Sequence, residues 1–168
     1  MSRRLASSLA GLLVAGVATS GLAGLAAAAN DDPDPWVTVG FVIVRSTTDY
    51  REARRIVDEA KDRLGIPVDL RGLVFDGEHG LTFSPEVCEK EALSPFPCYL
   101  ARGRTDAGVY LSIERSDAYA SFRPGYFLVF AANGDPESAE LKATLAKVRG
   151  LFKDAYLKGG KVYQGCLH

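Results

Sequence analysis

The stretch "FVIVRSTTDYREARRI" (residues 41–56) decides the fold, because its plan returns eighty-six residues later as "FLVFAANGDPESAELK" (127–142). Each copy opens with a run of four apolar residues. Each turns at a short polar stretch holding an Asp and becomes helical, with Ala53 and Ala139 at the same offset. An apolar run of this length fits a strand buried on both faces. After the first run, Ala53, Ile56, Val57, Ala60 and Leu64 form one helical stripe, and Gly65 ends it. Thr48 or Asp49 is the expected N-cap, and Asp49-x-x-Glu52 reads as a capping box. After the second run, Asp135 is the expected N-cap with Pro136 at the first helical position, and Leu141, Leu145, Val148 and Phe152 make the buried stripe.

Working outward, "WVTVGFVIV" (36–44), "IPVDLRGLVF" (66–75), "GYFLVFAA" (125–132) and "DAYLKGGKVYQG" (154–165) read as strands. The order is then β-α-β-β-α-β, an α+β ferredoxin-like split sandwich. In that layout the first and third strands are central, and they are the two most apolar. "VDLRG" and "YLKGGKVY" carry charges and glycine, which edge strands tolerate. An insert of about residues 76–124 separates the halves and holds a further strand, "GVYLSIE" (108–114). Helices can cover one face of the sheet only. The insert is the expected cover for the other face, and a homodimer is the alternative.

The ends of the chain address localisation. Residues 1–29 carry Arg3 and Arg4, an uncharged stretch, and the small-x-small ending Ala27-Ala28-Ala29, a signal-peptide plan. A retained anchor is the alternative. The stretch is rich in Gly, Ala, Ser and Thr, which favours cleavage, with no stable membrane insertion afterwards. "NDDPDP" (30–35) reads as a linker, and residues 36–168 as one domain. The expected localisation is periplasmic or secreted. Without Arg3 and Arg4 the chain has 18 basic and 21 acidic residues, a net of −3. With no basic run, nucleic acid is an unsuitable partner.

Three cysteines remain, and an oxidising compartment permits a disulfide. Cys88 and Cys98 flank a short loop and are the favoured pair on proximity. Cys166 is left to be buried, to pair between chains, or to replace one partner.

The chain holds no Gly-rich phosphate loop, GxSxG or HExxH. Asp76, Glu78 and His79 share one turn, where they can form an acid/base or metal cluster or simply a solvated turn; the turn is favoured. Cys166 and His168 sit at the terminus, a poor place to hold catalytic geometry. No cofactor or metal is expected, and an enzyme is disfavoured. Arg102, Arg104, Tyr110 and Arg115, on a strand-and-turn surface, suit carbohydrate or carboxylate recognition.

The repeated strand, turn and Ala-bearing helix resembles the SPOR domain, whose halves read V-Q-V-G-S-F with an Ala six residues after the Phe. "VIVRST" (42–47) with Ala53, and "LVFAAN" (128–133) with Ala139, take those places. Ser46 is the matching residue. Arg45 and Ala131 stand where the family favours Gly, and Thr47 and Asn133 where it favours Phe. The resemblance covers about residues 37–75 and 126–164 and leaves the insert outside. It implies a non-catalytic envelope module that binds peptidoglycan or another cell-wall glycan, with Ser46 a further contact residue. The rival readings are a protein-partner or inhibitory module that uses the insert, and a small secreted hydrolase.

Overall fold

Strand β1, Trp36–Thr47, fixes the centre of the molecule: Phe41, Val42, Ile43 and Val44 are all fully buried. The structure, a computed structural model, describes residues 34–93 and 95–165. The expected leader (1–29), the first part of the linker, Cys166 and His168 lie outside the described residues. After β1 come α1 (Tyr50–Leu64), β2 (Val74–Asp76), β3 (Gly80–Thr82), α2 (Pro85–Lys90) and β4 (Gly108–Arg115). They are followed by β5 (Phe127–Gly134), α3 (Ala139–Leu151) and β6 (Tyr156–Tyr163). The architecture is α+β. Four strands form one antiparallel sheet in the order β4-β5-β1-β6, while β2 and β3 form a separate hairpin. The two most apolar strands, β1 and β5, occupy the centre, as their sequences require.

The expected strand at 66–75 does not enter the sheet. Arg71 and Gly72 both have positive φ, 60° and 71°, and turn the chain away after one parallel bridge from Val68 to Leu111. The Asp69 carboxylate accepts the Arg71 N–H (2.7 Å) and closes that turn. The edge beside β5 goes instead to β4, from the insert, whose alternation suits a strand with two different faces.

The helix signals hold in part. Asp49 caps α1 by accepting the Arg51 N–H (2.8 Å), and Gly65 ends it in the left-handed region at φ 65°. Glu52 pairs with Arg55 rather than closing a capping box, and the Asp49 N–H goes to Thr47 Oγ1. Helix α3 starts later than expected: Ser138 is its N-cap, accepting from the Leu141 N–H. Asp135 accepts from the Glu137 N–H in the preceding turn, so it shapes the approach to the helix rather than its first turn.

Helices α1 and α3 cover one face. Ile56, Val57, Leu141 and Val148 pack on Val42, Val44, Val129 and Ala131. Phe83, Cys88 and Cys98 from the insert close the same cluster, where Cys88 and Cys98 are disulfide-bonded. The opposite face carries Phe41, Ile43, Leu128, Phe130 and Val162, and the insert covers it with Tyr119 and Phe122. Phe41 stacks on Phe130 at 4.6 Å and meets Tyr119 edge-on at 5.0 Å. Gly160 makes this packing fit: a Cβ there would lie 2.8 Å from the Phe122 ring and 2.9 Å from Phe41.

Candidate functional site

The insert crosses the second face above a layer of buried charge. Arg102 is fully buried and acts as the hub of that layer. The β4–β5 ladder shifts register between Val109 and Ser112, and Arg102 takes up acceptors around the break. Its Nη1 donates to the Tyr110 carbonyl (3.0 Å) and Ser112 Oγ (2.9 Å), and Nη2 donates to the Gly108 carbonyl (3.1 Å). Its Nε donates to Asn133 Oδ1 (2.8 Å) on β5. The guanidinium also lies 3.5 Å from the Tyr110 ring centroid. Burial pulls the Arg102 pKa below its ordinary value, opposed by the nearby Tyr110, Glu114 and Asp106.

A second buried group stands beside it. Glu114 has no exposed side-chain surface. Its Oε2 accepts from Arg71 Nη1 (2.9 Å), from the Tyr99 hydroxyl and from the Tyr119 hydroxyl (3.4 Å). Burial, reinforced by the Glu114 charge, pushes both tyrosine hydroxyls well above their ordinary pKa, so they remain donors. The other oxygen, Glu114 Oε1, is buried and has no hydrogen-bond donor among the described residues. Burial is the largest single influence on Arg71 and opposes its charge, but Glu114, Tyr99, Asp106 and Tyr119 together outweigh it and raise the Arg71 pKa. Arg71 Nη2 also holds the Leu100 carbonyl (3.0 Å). The strip 99–102 is thus pinned from beneath at Tyr99, Leu100 and Arg102.

That strip floors a cleft of about 290 Å³, lined by Trp36, Tyr99, Arg104, Arg115, Asp117 and Tyr163 together with small apolar residues. Trp36 opens β1 and is 42% exposed; its ring meets Tyr163, at the end of β6, edge-on at 5.3 Å. Arg104 reaches across to donate to the carbonyls of Tyr163 (2.7 Å) and Gly165, and its guanidinium lies 5.5 Å from the Tyr163 ring. Arg115, at the end of β4, lies 5.4 Å from the Tyr99 ring and gives Nε (3.0 Å) and Nη2 to the two oxygens of Asp117. The Arg115 hydrogen bond holds the Asp117 carboxyl below its ordinary pKa, against the effect of partial burial. The cleft therefore offers an exposed indole, two guanidiniums and one carboxylate on a rigid floor. This is recognition chemistry: planar stacking plus directed hydrogen bonds.

The five sequence-derived contact residues do not converge. Arg104 and Arg115 line the cleft. Arg102 lies beneath it with its guanidinium committed to internal partners. Tyr110 packs under that guanidinium and donates to Asp106. Ser46 shares a hydrogen bond with the Tyr156 hydroxyl (2.8 Å) near the other end of β1, about 33 Å from Trp36 at the rise of a strand. Trp36, Tyr163 and Asp117 were not among the residues singled out. A tryptophan opening a strand straight after an acidic linker, and an Asp two residues after Arg115, were the available signals.

The turn at Asp76 folds on itself. Asp76 Oδ1 accepts from the backbone N–H groups of His79 (2.8 Å) and Glu78 (2.9 Å) and lies 2.9 Å from His79 Nδ1. Those bonds, the His79 N–H first, hold the Asp76 pKa below its ordinary value. Among the described residues no group of three His, Cys, Asp or Glu side chains could hold a metal ion, and no helix is long and apolar enough to cross a membrane. No protein-family model, no curated protein and no solved structure matches this chain.

Proposed function

We propose that this chain is an exported, non-catalytic envelope module that binds a cell-wall glycan, peptidoglycan foremost, through the Trp36–Arg104–Arg115 cleft. The observation that carries this reading is the pairing of an exposed indole with two guanidiniums above a floor fixed by buried hydrogen bonds. A sugar ring presents an apolar face for stacking and hydroxyls for directed bonds, and a rigid site loses little entropy in holding it. Export is supported by the leader at 1–29 and by a disulfide, a bond that oxidising compartments sustain. The SPOR-like relationship is supported by strand order: with β4 as the second strand, β4-β5-β1-β6 reads as a split β-α-β-β-α-β sandwich.

The test is co-sedimentation of the chain from Asn30 onward with purified sacculi, intact and amidase-stripped. Binding is expected to increase on stripped glycan. Trp36→Ala and Arg104→Ala should each weaken it about tenfold or more, as loss of a stacking anchor or a charged donor does. Ser46→Ala should leave it unchanged. Failure of the wild-type chain to sediment with either preparation overturns the reading.

One observation favours a protein partner instead. Val74 (47% exposed), Phe75 (45%) and Phe96 (36%) are exposed apolar residues on the β2–β3 hairpin and the stapled loop. A partner on that surface would be released by Phe75→Asp and indifferent to Arg104→Ala.

A further inference from the structure

We infer that Asp117 sets the charge class of the ligand: the cleft admits a sugar ring bearing one carboxylate and rejects phosphorylated or sulfated polyanions. This deepens the glycan reading above and rests on it. The two arginines of the cleft are not equivalent. Arg104 bonds only to neutral carbonyls, those of Tyr163 and Gly165, and among the described residues no carboxylate pairs with it. Its planar fork keeps N–H groups for a carboxylate. Arg115 is already neutralised, with Nε and Nη2 on Asp117 and Nη1 left over. Among the described residues the lining therefore holds one uncompensated cation and one ion pair. A neutral ring would leave Arg104 without its counter-charge. A dianion would satisfy Arg104, but its second charge would find no cation of its own, because Arg115 is held by Asp117, whose side chain is 42% exposed.

Asp34, which accepts the Trp36 N–H (3.0 Å), sets a second carboxylate beside Trp36. Repulsion of this kind is how a site excludes a near-relative of its ligand. Ring hydroxyls suit the Arg115–Asp117 pair, since Asp117 accepts from them and Arg115 Nη1 donates. Trp36 supplies the platform for the ring.

Trp36 is the only tryptophan in the chain, so its fluorescence reports occupancy of the cleft directly. Three probes share one ring and differ in charge: N-acetylglucosamine, N-acetylmuramic acid and N-acetylglucosamine 6-phosphate. They are titrated at pH 8, where the phosphate carries about two charges. N-acetylmuramic acid should bind the wild-type chain about tenfold or more tighter than either other probe. Asp117→Asn keeps an oxygen for Arg115 and should raise phosphate-sugar affinity about tenfold while leaving N-acetylmuramic acid within about threefold. Arg104→Gln should abolish the preference for the carboxylate.

An Asp117→Asn chain with an unchanged phosphate-to-carboxylate ratio overturns the inference and leaves the glycan reading standing. So does a wild-type chain that sediments with sacculi yet prefers another probe, or shows no fluorescence response to any. No response together with no sedimentation removes both.

Discussion

The two faces of the central sheet are closed by different means. Toward α1 and α3 the contact is mostly aliphatic, made by stripes whose spacing follows from one helix and one strand at a time. Toward the insert it is made of rings and buried charge: Phe41, Tyr119 and Phe130 over the strands, with Arg102, Arg71 and Glu114 behind them. The first kind of cover is non-directional and survives small shifts. The second depends on hydrogen bonds between residues far apart in sequence, such as Arg102 to Asn133, and fails if a single partner is lost. The molecule places its cleft over the second kind. A recognition site needs fixed donors more than it needs a tolerant core.

The sharpest way to break this comparison is at Arg102. Arg102→Met retains the volume and removes every donor, leaving Asn133 Oδ1, Ser112 Oγ and two carbonyls without their partner. The expected loss is about 3–5 kcal/mol, read as a lower urea midpoint at constant slope. Arg104→Ala, two residues along, should cost less than about 1 kcal/mol in the same experiment, because its acceptors are on the surface side. An Arg102→Met chain as stable as the wild type would mean that the charged layer is not what holds the insert down.

Two further changes sharpen the contrast. The Cys88–Cys98 bond joins residues ten apart and lies in the helix-side cluster. Replacing both with Ser should cost about 2–3 kcal/mol through the freed loop and should leave cleft binding in place. Gly160→Ala acts on the other face, where the new methyl meets the Phe122 and Phe41 rings. Overpacking of about 1–3 kcal/mol is expected, with a thermal melt as the measurement.

The same contrast explains what the sequence disclosed. The helix-side stripe of α1 was legible residue by residue, since Ala53, Ile56, Val57, Ala60 and Leu64 repeat at helical spacing and all are buried. The central strands were legible because nothing polar interrupts them. The second strand was not. "IPVDLRGLVF" has strand composition, but the chain turns at Arg71 and Gly72, both at positive φ, where Asp69 closes the turn and the Arg71 side chain reaches Glu114 and Leu100. The late start of α3 at Ser138 was hidden by Asp135-Pro136, which is an equally good helix-opening signal. At the site, "ARGR" announced guanidiniums but could not assign them. In the fold Arg102 turns inward to acceptors around the β4 register shift and to Asn133, while Arg104 lines the cleft.

The smallest expected effect tests the residue that the repeated motif singled out. Ser46 lies at the end of β1 away from Trp36, half-buried, and its hydroxyl meets Tyr156 on β6 at 2.8 Å. Ser46→Ala removes one neutral hydrogen bond from a partly exposed pair, which costs about 0.5–1.5 kcal/mol. Tyr156→Phe should cost a similar amount. The double variant should then cost less than the sum of the two, because one bond cannot be lost twice. If the hydroxyl acts only in this strand-to-strand bond, glycan binding will be the same in all three variants while stability falls. Lost binding in Ser46→Ala with unchanged stability would move the site to the far end of β1 and away from the Arg104 cleft. The residue shared with the family pattern would then carry recognition, and the insert would serve only as cover.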